Sequence, residues 1–123
     1  MSQLIPGLND LSTYYNRTDL LEKVVAQIQK DFNWFSFEIT FSGKEEVTPY
    51  QELFQQILPL VDEMLNDDYI KLMSLLYRID IEEDFLNRKL KENAQADTDE
   101  VIADLIIKRE LQKVIIKDMY SAK

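Results

Sequence analysis

Apolar residues recur through most of this chain with a period of about 3.6, the spacing that puts them on one side of a helix. The first clear stripe runs from about Asp19 to Phe32. Leu21, Val24, Val25, Ile28 and Phe32 share one face there, while Glu22, Lys23, Gln27 and Lys30 fill the other. Thr18 is placed to cap this helix, and Asp19 suits its positive N-terminal end. A second stripe, Leu53, Phe54, Ile57, Leu58, Val61, Met64 and Leu65, follows Thr48-Pro49-Tyr50-Gln51. Threonine as cap, proline at the first helical position and glutamine three residues on form a capping box. Pro59 falls inside the stripe and cannot donate to the carbonyl of Gln55, which predicts a kink.

Asn66-Asp67-Asp68 closes that helix and caps another. The third carries Tyr69, Leu72, Met73, Leu76 and Tyr77 on one face, broadened by Ile70, Leu75 and Ile79. A helix so widely apolar is expected to be nearly surrounded by others. Tyr69, Met73, Tyr77 and Phe85 therefore read as core before they read as the lining of a ligand pocket. Asp80 and Glu83 repeat the capping-box spacing and open a fourth helix through Phe85, Leu86 and Leu90. The polar stretch Lys91–Asp97 reads as a loop or a frayed helix end.

The last helix, about Asp99 to Tyr120, follows Asp97 and Glu100 at the same spacing. Its apolar stripe changes side partway. Val101, Ile102, Leu105 and Ile106 lie on one side, and Ile107, Leu111, Val114 and Ile115 on roughly the opposite one. Such a helix either lies between two layers or offers its second half to a different partner.

One segment breaks the helical rhythm. From Phe35 to Phe41 apolar and polar residues alternate, so Phe35, Phe37, Ile39 and Phe41 share one face of a possible short β-strand around residues 35–41, with Gly43 as its exit. A lone strand leaves its peptide groups unpaired. Its partner would be the N-terminal arm, the same strand of a second copy or a strand of another protein; the alternative is an extended loop whose aromatics plug the core. Residues 1–17, with Pro6-Gly7, Asn9-Asp10 and Ser12-Thr13, read as turns rather than a long helix: either Tyr14 and Tyr15 anchor the segment on the domain, or it is a less ordered arm. The fold class expected from these patterns is all-α: a compact bundle of about five helices in a single domain, residues 1–123.

Composition narrows the chemistry. The 123 residues include no histidine and no cysteine. That removes zinc fingers, iron–sulfur sites, disulfide scaffolds and the Ser-His-Asp and Cys-His forms of catalysis. Two glycines, Gly7 and Gly43, leave no phosphate-binding glycine loop, and scarce glycine and proline also disfavour an all-β fold. No apolar run approaches the roughly 20 residues that cross a bilayer, and no basic residue precedes Leu11 in the manner of a signal peptide. A cytoplasmic protein without cofactors or membrane contact is the expectation.

The net charge of −9 is unevenly spread. From Glu45 to Asp84 eleven acids face only Lys71 and Arg78, whereas Lys108, Arg109, Lys113, Lys117 and Lys123 dominate the C-terminal part. Most of this surface would repel nucleic acid. The C-terminal bases also suit a helix dipole.

Carboxylates are the plentiful reactive groups. Asp80, Glu83 and Asp84, and Glu100 with Asp104, have spacings that gather acids on one helix face, as a magnesium site requires. Dimeric all-α nucleotide pyrophosphohydrolases use E-x-x-E and E-x-x-D pairs on facing helices. Here Asp80–Glu83 is D-x-x-E and Glu100–Asp104 is one residue longer, so the chain departs from that pattern. The catalytic candidates are Glu83, Asp84, Glu100 and Asp104. Asn66-Asp67-Asp68 and Asp97-Thr98-Asp99-Glu100 lack the central glycine of a calcium-binding EF-hand loop.

The reading that absorbs most of these features is a small acidic interaction or assembly protein without catalytic activity. It would pair with itself as a homodimer or with another protein. Phe35, Phe37, Ile39 and Phe41 and the second stripe, Ile107, Leu111, Val114 and Ile115, are the interface candidates. A magnesium-dependent hydrolase, and an acidic nucleic-acid mimic that inhibits a nucleic-acid-binding protein, are the alternatives.

Overall fold

A computed structural model describes residues 7, 10–32 and 39–121, and their regular structure is helical. The helices are α1 (Thr18–Phe32), α2 (Pro49–Asp67), α3 (Tyr69–Arg78), α4 (Glu83–Glu92) and α5 (Thr98–Ser121). Among the described residues there is no strand, and the chain is an all-α bundle of five helices.

The local chemistry explains most of the boundaries. At the start of α2, Gln51 N–H donates to Thr48 Oγ1 and Thr48 N–H donates back to Gln51 Oε1, both at 3.1 Å. α2 runs on through Pro59 to Asp67. The next residue does two jobs: Asp68 N–H donates to the Met64 carbonyl, and its carboxylate accepts from Lys71 N–H at 3.2 Å. One peptide therefore ends α2 and caps α3. At α5, Asp97 N–H donates to Glu100 Oε1 at 3.4 Å, one half of the expected box.

The Asp80–Glu83 box does not form. Asp80 instead adopts φ 68° beyond the end of α3, with Asp80 N–H donating to Tyr77 O (3.0 Å) and Ile81 N–H to Leu76 O (2.9 Å). Those two bonds make a Schellman motif, and Ile81 and Leu76 are both buried, as its hydrophobic contact requires. α4 starts later, behind Glu82, whose side chain makes no capping bond.

α5 is the spine of the bundle. Over its 24 residues it buries Val101, Ile102, Leu105 and Ile106 and also Ile107, Leu111, Val114 and Ile115. Its N-terminal half lies beside α2 and α4, where Tyr50 reaches Asp104 and a cleft is shared. Its C-terminal half lies along α1, joined by Lys113–Asp31, Lys117–Gln27 and Lys23–Asp118. Both apolar stripes are thus covered within one chain. The second stripe is core and offers no face to a second copy.

Residues 11–15 are tied to the bundle. Leu11 is fully buried, the Tyr15 ring stacks on Tyr50 with centroids 4.1 Å apart, and Tyr50 N–H donates to the Tyr15 carbonyl. Phe35, Phe37 and the start of the expected strand lie outside the described residues. From Ile39 to Lys44 the chain is irregular, with Ile39 and Phe41 half-buried against the core. Its peptides find partners on α2 rather than in a sheet. Gln56 accepts from Thr40 N–H (3.1 Å) and donates to Thr40 O (3.0 Å), and Glu52 accepts from Ser42 N–H. A side-chain amide takes the place of a neighbouring strand.

Candidate functional site

Three places combine unusual chemistry with position. The first is a cleft of about 550 Å³ whose floor is α5 and whose walls are α2, α4 and the turn after α4. Tyr50, Lys89, Glu92, Glu100, Asp104 and Lys108 bring its polar groups; Phe54, Val101 and Leu105 are apolar. Tyr50 donates to Asp104 Oδ1, and Lys108 meets Asp104 Oδ2 at 2.8 Å. Burial and the nearby Asp104 charge push the Tyr50 hydroxyl far above its ordinary range, and push Tyr15 up to about 12. Tyr50 therefore stays a neutral donor that fixes Asp104, rather than a base. Lys89 faces Glu92 at 3.3 Å, so both lysines of the cleft already meet a carboxylate.

This cleft unites two of the four acidic candidates. Glu100 and Asp104 line it, but Glu83 and Asp84 sit exposed in the first turn of α4, away from the Lys89–Asn93 end that forms the wall. Among the described residues no group of three or more His, Cys, Asp or Glu side chains is placed to hold a metal ion.

The second place lies between α1 and α5. Glu110 is completely buried, and neither of its carboxyl oxygens accepts a hydrogen bond of good geometry. Lys113 Nζ stands 3.3 Å from Glu110 and 2.7 Å from Asp31, and Gln27 Nε2 also donates to Asp31 at 3.0 Å. Desolvation, with Asp31 as neighbour, raises the Glu110 carboxyl to about 8; Lys113 opposes the shift. Once protonated, Glu110 becomes a donor to Asp31, so a proton supplies the missing bond. Asp31 itself is held below its ordinary value by Lys113, Glu110 and Gln27 against the effect of burial.

The bases of α5 are likewise spent inside the fold. Arg109 donates to the Ile79 carbonyl (2.9 Å) and pairs with Asp80 (3.2 Å), and Lys117 donates to Gln27 (3.0 Å). Their work is to join helices, which a dipole at the end of α5 does not explain.

The third place is the outer face of α3. Leu72, Leu75 and Leu76 point inward and are buried. Tyr69, Ile70 and Tyr77 are 52%, 79% and 73% exposed, and with Met73 and Ser74 they line an open groove of about 380 Å³. At 100° per residue these five span a sector of about 140° beside the buried one. The expectation that α3 is nearly surrounded is overturned: its apolar circumference exceeds what the bundle covers. The signal was in the sequence as an excess of apolar positions, but it did not say which side stays bare.

The chain matches no family model, no curated protein and no solved structure. Function rests on these surfaces alone. Of the acids that spacing singles out, Asp104 is the one engaged by Tyr50 and Lys108. The Tyr50 contact crosses between helices and leaves no spacing to read, whereas Lys108 lies four residues beyond Asp104 on α5, a spacing that the sequence does carry. Glu110 was findable, as a charge on the inward arc of α5 between Ile106 and Val114.

Proposed function

We propose that this chain is an interaction protein without catalytic activity of its own, which docks another protein on the outer face of α3. The observation that carries this reading is the exposure of Ile70 and Tyr77 on a helix whose opposite side is core. α1 and α5 bury their apolar stripes, so an open aromatic and aliphatic face on α3 is not a shortage of places to put such residues. Exposed apolar patches of this kind, ringed by charge, mark protein-binding surfaces. The reactive-looking groups have structural work: Asp104 is engaged by Tyr50 and Lys108, and Asp31 by Lys113 and Gln27.

The test compares the chain with its Ile70→Ser/Tyr77→Ser variant. Both are recovered from the native extract, and stoichiometric companions are quantified by mass spectrometry. The expected outcome is one partner held by the native chain and lost by the variant, with the thermal midpoint unchanged because both side chains already face water. A partner retained equally by the variant would move the docking site elsewhere.

A further inference from the structure

We infer that the segment docking on α3 is a basic, amphipathic helix of another protein, and not a second copy of this chain. The inference rests on the interaction reading above and adds the chemistry of the partner. An open groove and a smaller, more enclosed one adjoin along α3 and share Met73 and Tyr77. One is lined by Tyr69, Ile70 and Ser74, the other by Leu76, Ile81, Glu83 and Leu86. From Tyr69 to Tyr77 the face is about 12 Å long, enough to receive the i, i+3, i+4 and i+7 side chains of a short helix. Met73, unbranched and polarisable, sits where the grooves meet and can adapt its shape to such anchors.

The rim specifies charge. Between Asp62 and Asp84 the sequence has eight acids and two bases. Asp67 and Asp68 stand exposed at one end of the face, and Glu82, Glu83 and Asp84 at the other. Of the two bases, Arg78 is turned to the Asp31 carbonyl at 3.0 Å. A twofold pairing of α3 along α3 would bring these acidic ends against each other whether the two helices ran parallel or antiparallel, and facing like charges oppose association. Lysine or arginine flanking the apolar stripe of a partner helix would meet both ends of the rim favourably.

The experiment titrates the whole chain with two fluorescent peptides of about 18 residues. Both carry leucine at i, i+3, i+4 and i+7; one fills the remaining positions with lysine, the other with glutamate. The lysine peptide is expected to bind, to weaken by about tenfold or more between about 50 and about 300 mM salt, and to weaken similarly on Glu82→Lys/Glu83→Lys. It should be lost on Ile70→Ser/Tyr77→Ser, which keeps every acid and so removes only the apolar face. Equal binding of both peptides, or lysine-peptide binding indifferent to the serine variant, would overturn the inference. Sedimentation run alongside separates the two levels. A native dimer that the serine variant turns into a monomer would overturn the basic partner while keeping α3 as an interaction face. A monomer that binds neither peptide would overturn both.

Discussion

Asp80 holds the left-handed backbone conformation, φ 68°, at the position after α3 where glycine is usual. An L-residue there bears a steric cost of roughly 1 kcal/mol or more, which aspartate tolerates better than most. The same carboxylate pairs with Arg109, whose guanidinium also caps the Ile79 carbonyl, so one residue turns the chain and ties it to α5. Substitution separates the two roles. Asp80→Ala and Asp80→Gly both remove the exposed ion pair, but only alanine keeps a Cβ in the left-handed region. Asp80→Ala is expected to be less stable than Asp80→Gly by about 1 kcal/mol in urea unfolding. Equal midpoints would show that the backbone is not strained there. Sequence spacing assigned Asp80 to the start of the next helix because a D-x-x-E pattern has the same letters whichever helix it serves; only the φ angle separates the two.

At the scale of single elements, α2 is the best specified and the most instructive. Its capping box is complete, with both reciprocal bonds at 3.1 Å. Thr48→Ala is expected to cost about 1 kcal/mol, while Thr48→Ser keeps most of the stability. Thermal unfolding of the two variants checks this, and an alanine variant as stable as the native chain would show that the cap is idle. The same helix resolves the alternating segment before it. Gln56 and Glu52 satisfy the peptides of Thr40 and Ser42, so residues 39–44 remain irregular, without a sheet. Period-two alternation reports which side chains face the core. It cannot report whether peptide partners come from a strand or from side chains. For α3 the pattern gave the helix and its buried leucines, but exposure of Ile70 and Tyr77 depends on how far the neighbouring helices reach.

For the whole molecule, the buried cluster between α1 and α5 gives stability a pH dependence. Glu110 rises from an ordinary 4.5 to about 8 in the folded chain, so the folded state binds its proton more tightly than the unfolded one. That contribution is fully present below about pH 4.5, declines as pH rises, and is lost once pH passes about 8. Asp31, lowered, works in the opposite sense: its contribution is present above its ordinary 3.8 and is lost as pH falls. The native chain should therefore be most stable in mildly acidic solution. Its thermal midpoint is expected to fall between pH 5 and pH 8.5, an interval that spans the Glu110 shift. Glu110→Gln, which keeps a donor toward Asp31 and cannot ionise, should flatten that fall and be the more stable chain at the alkaline end. Parallel pH profiles for the two would place the titration elsewhere.

The sequence alone determined the helical class, the positions of the helices to within a few residues, the cap at Thr48, a recapping within Asn66-Asp67-Asp68, and the split apolar stripe of α5. These depend on residues within one or two turns of each other, where periodicity and short-range hydrogen bonding act directly. Only the tertiary structure decided that both α5 stripes are covered by the same chain, that Glu110 meets Asp31 and Lys113, that Tyr50 reaches Asp104, and that one side of α3 is left to solvent. Each of those depends on which helices lie side by side and how much of each surface a neighbour covers, and no local spacing carries that information.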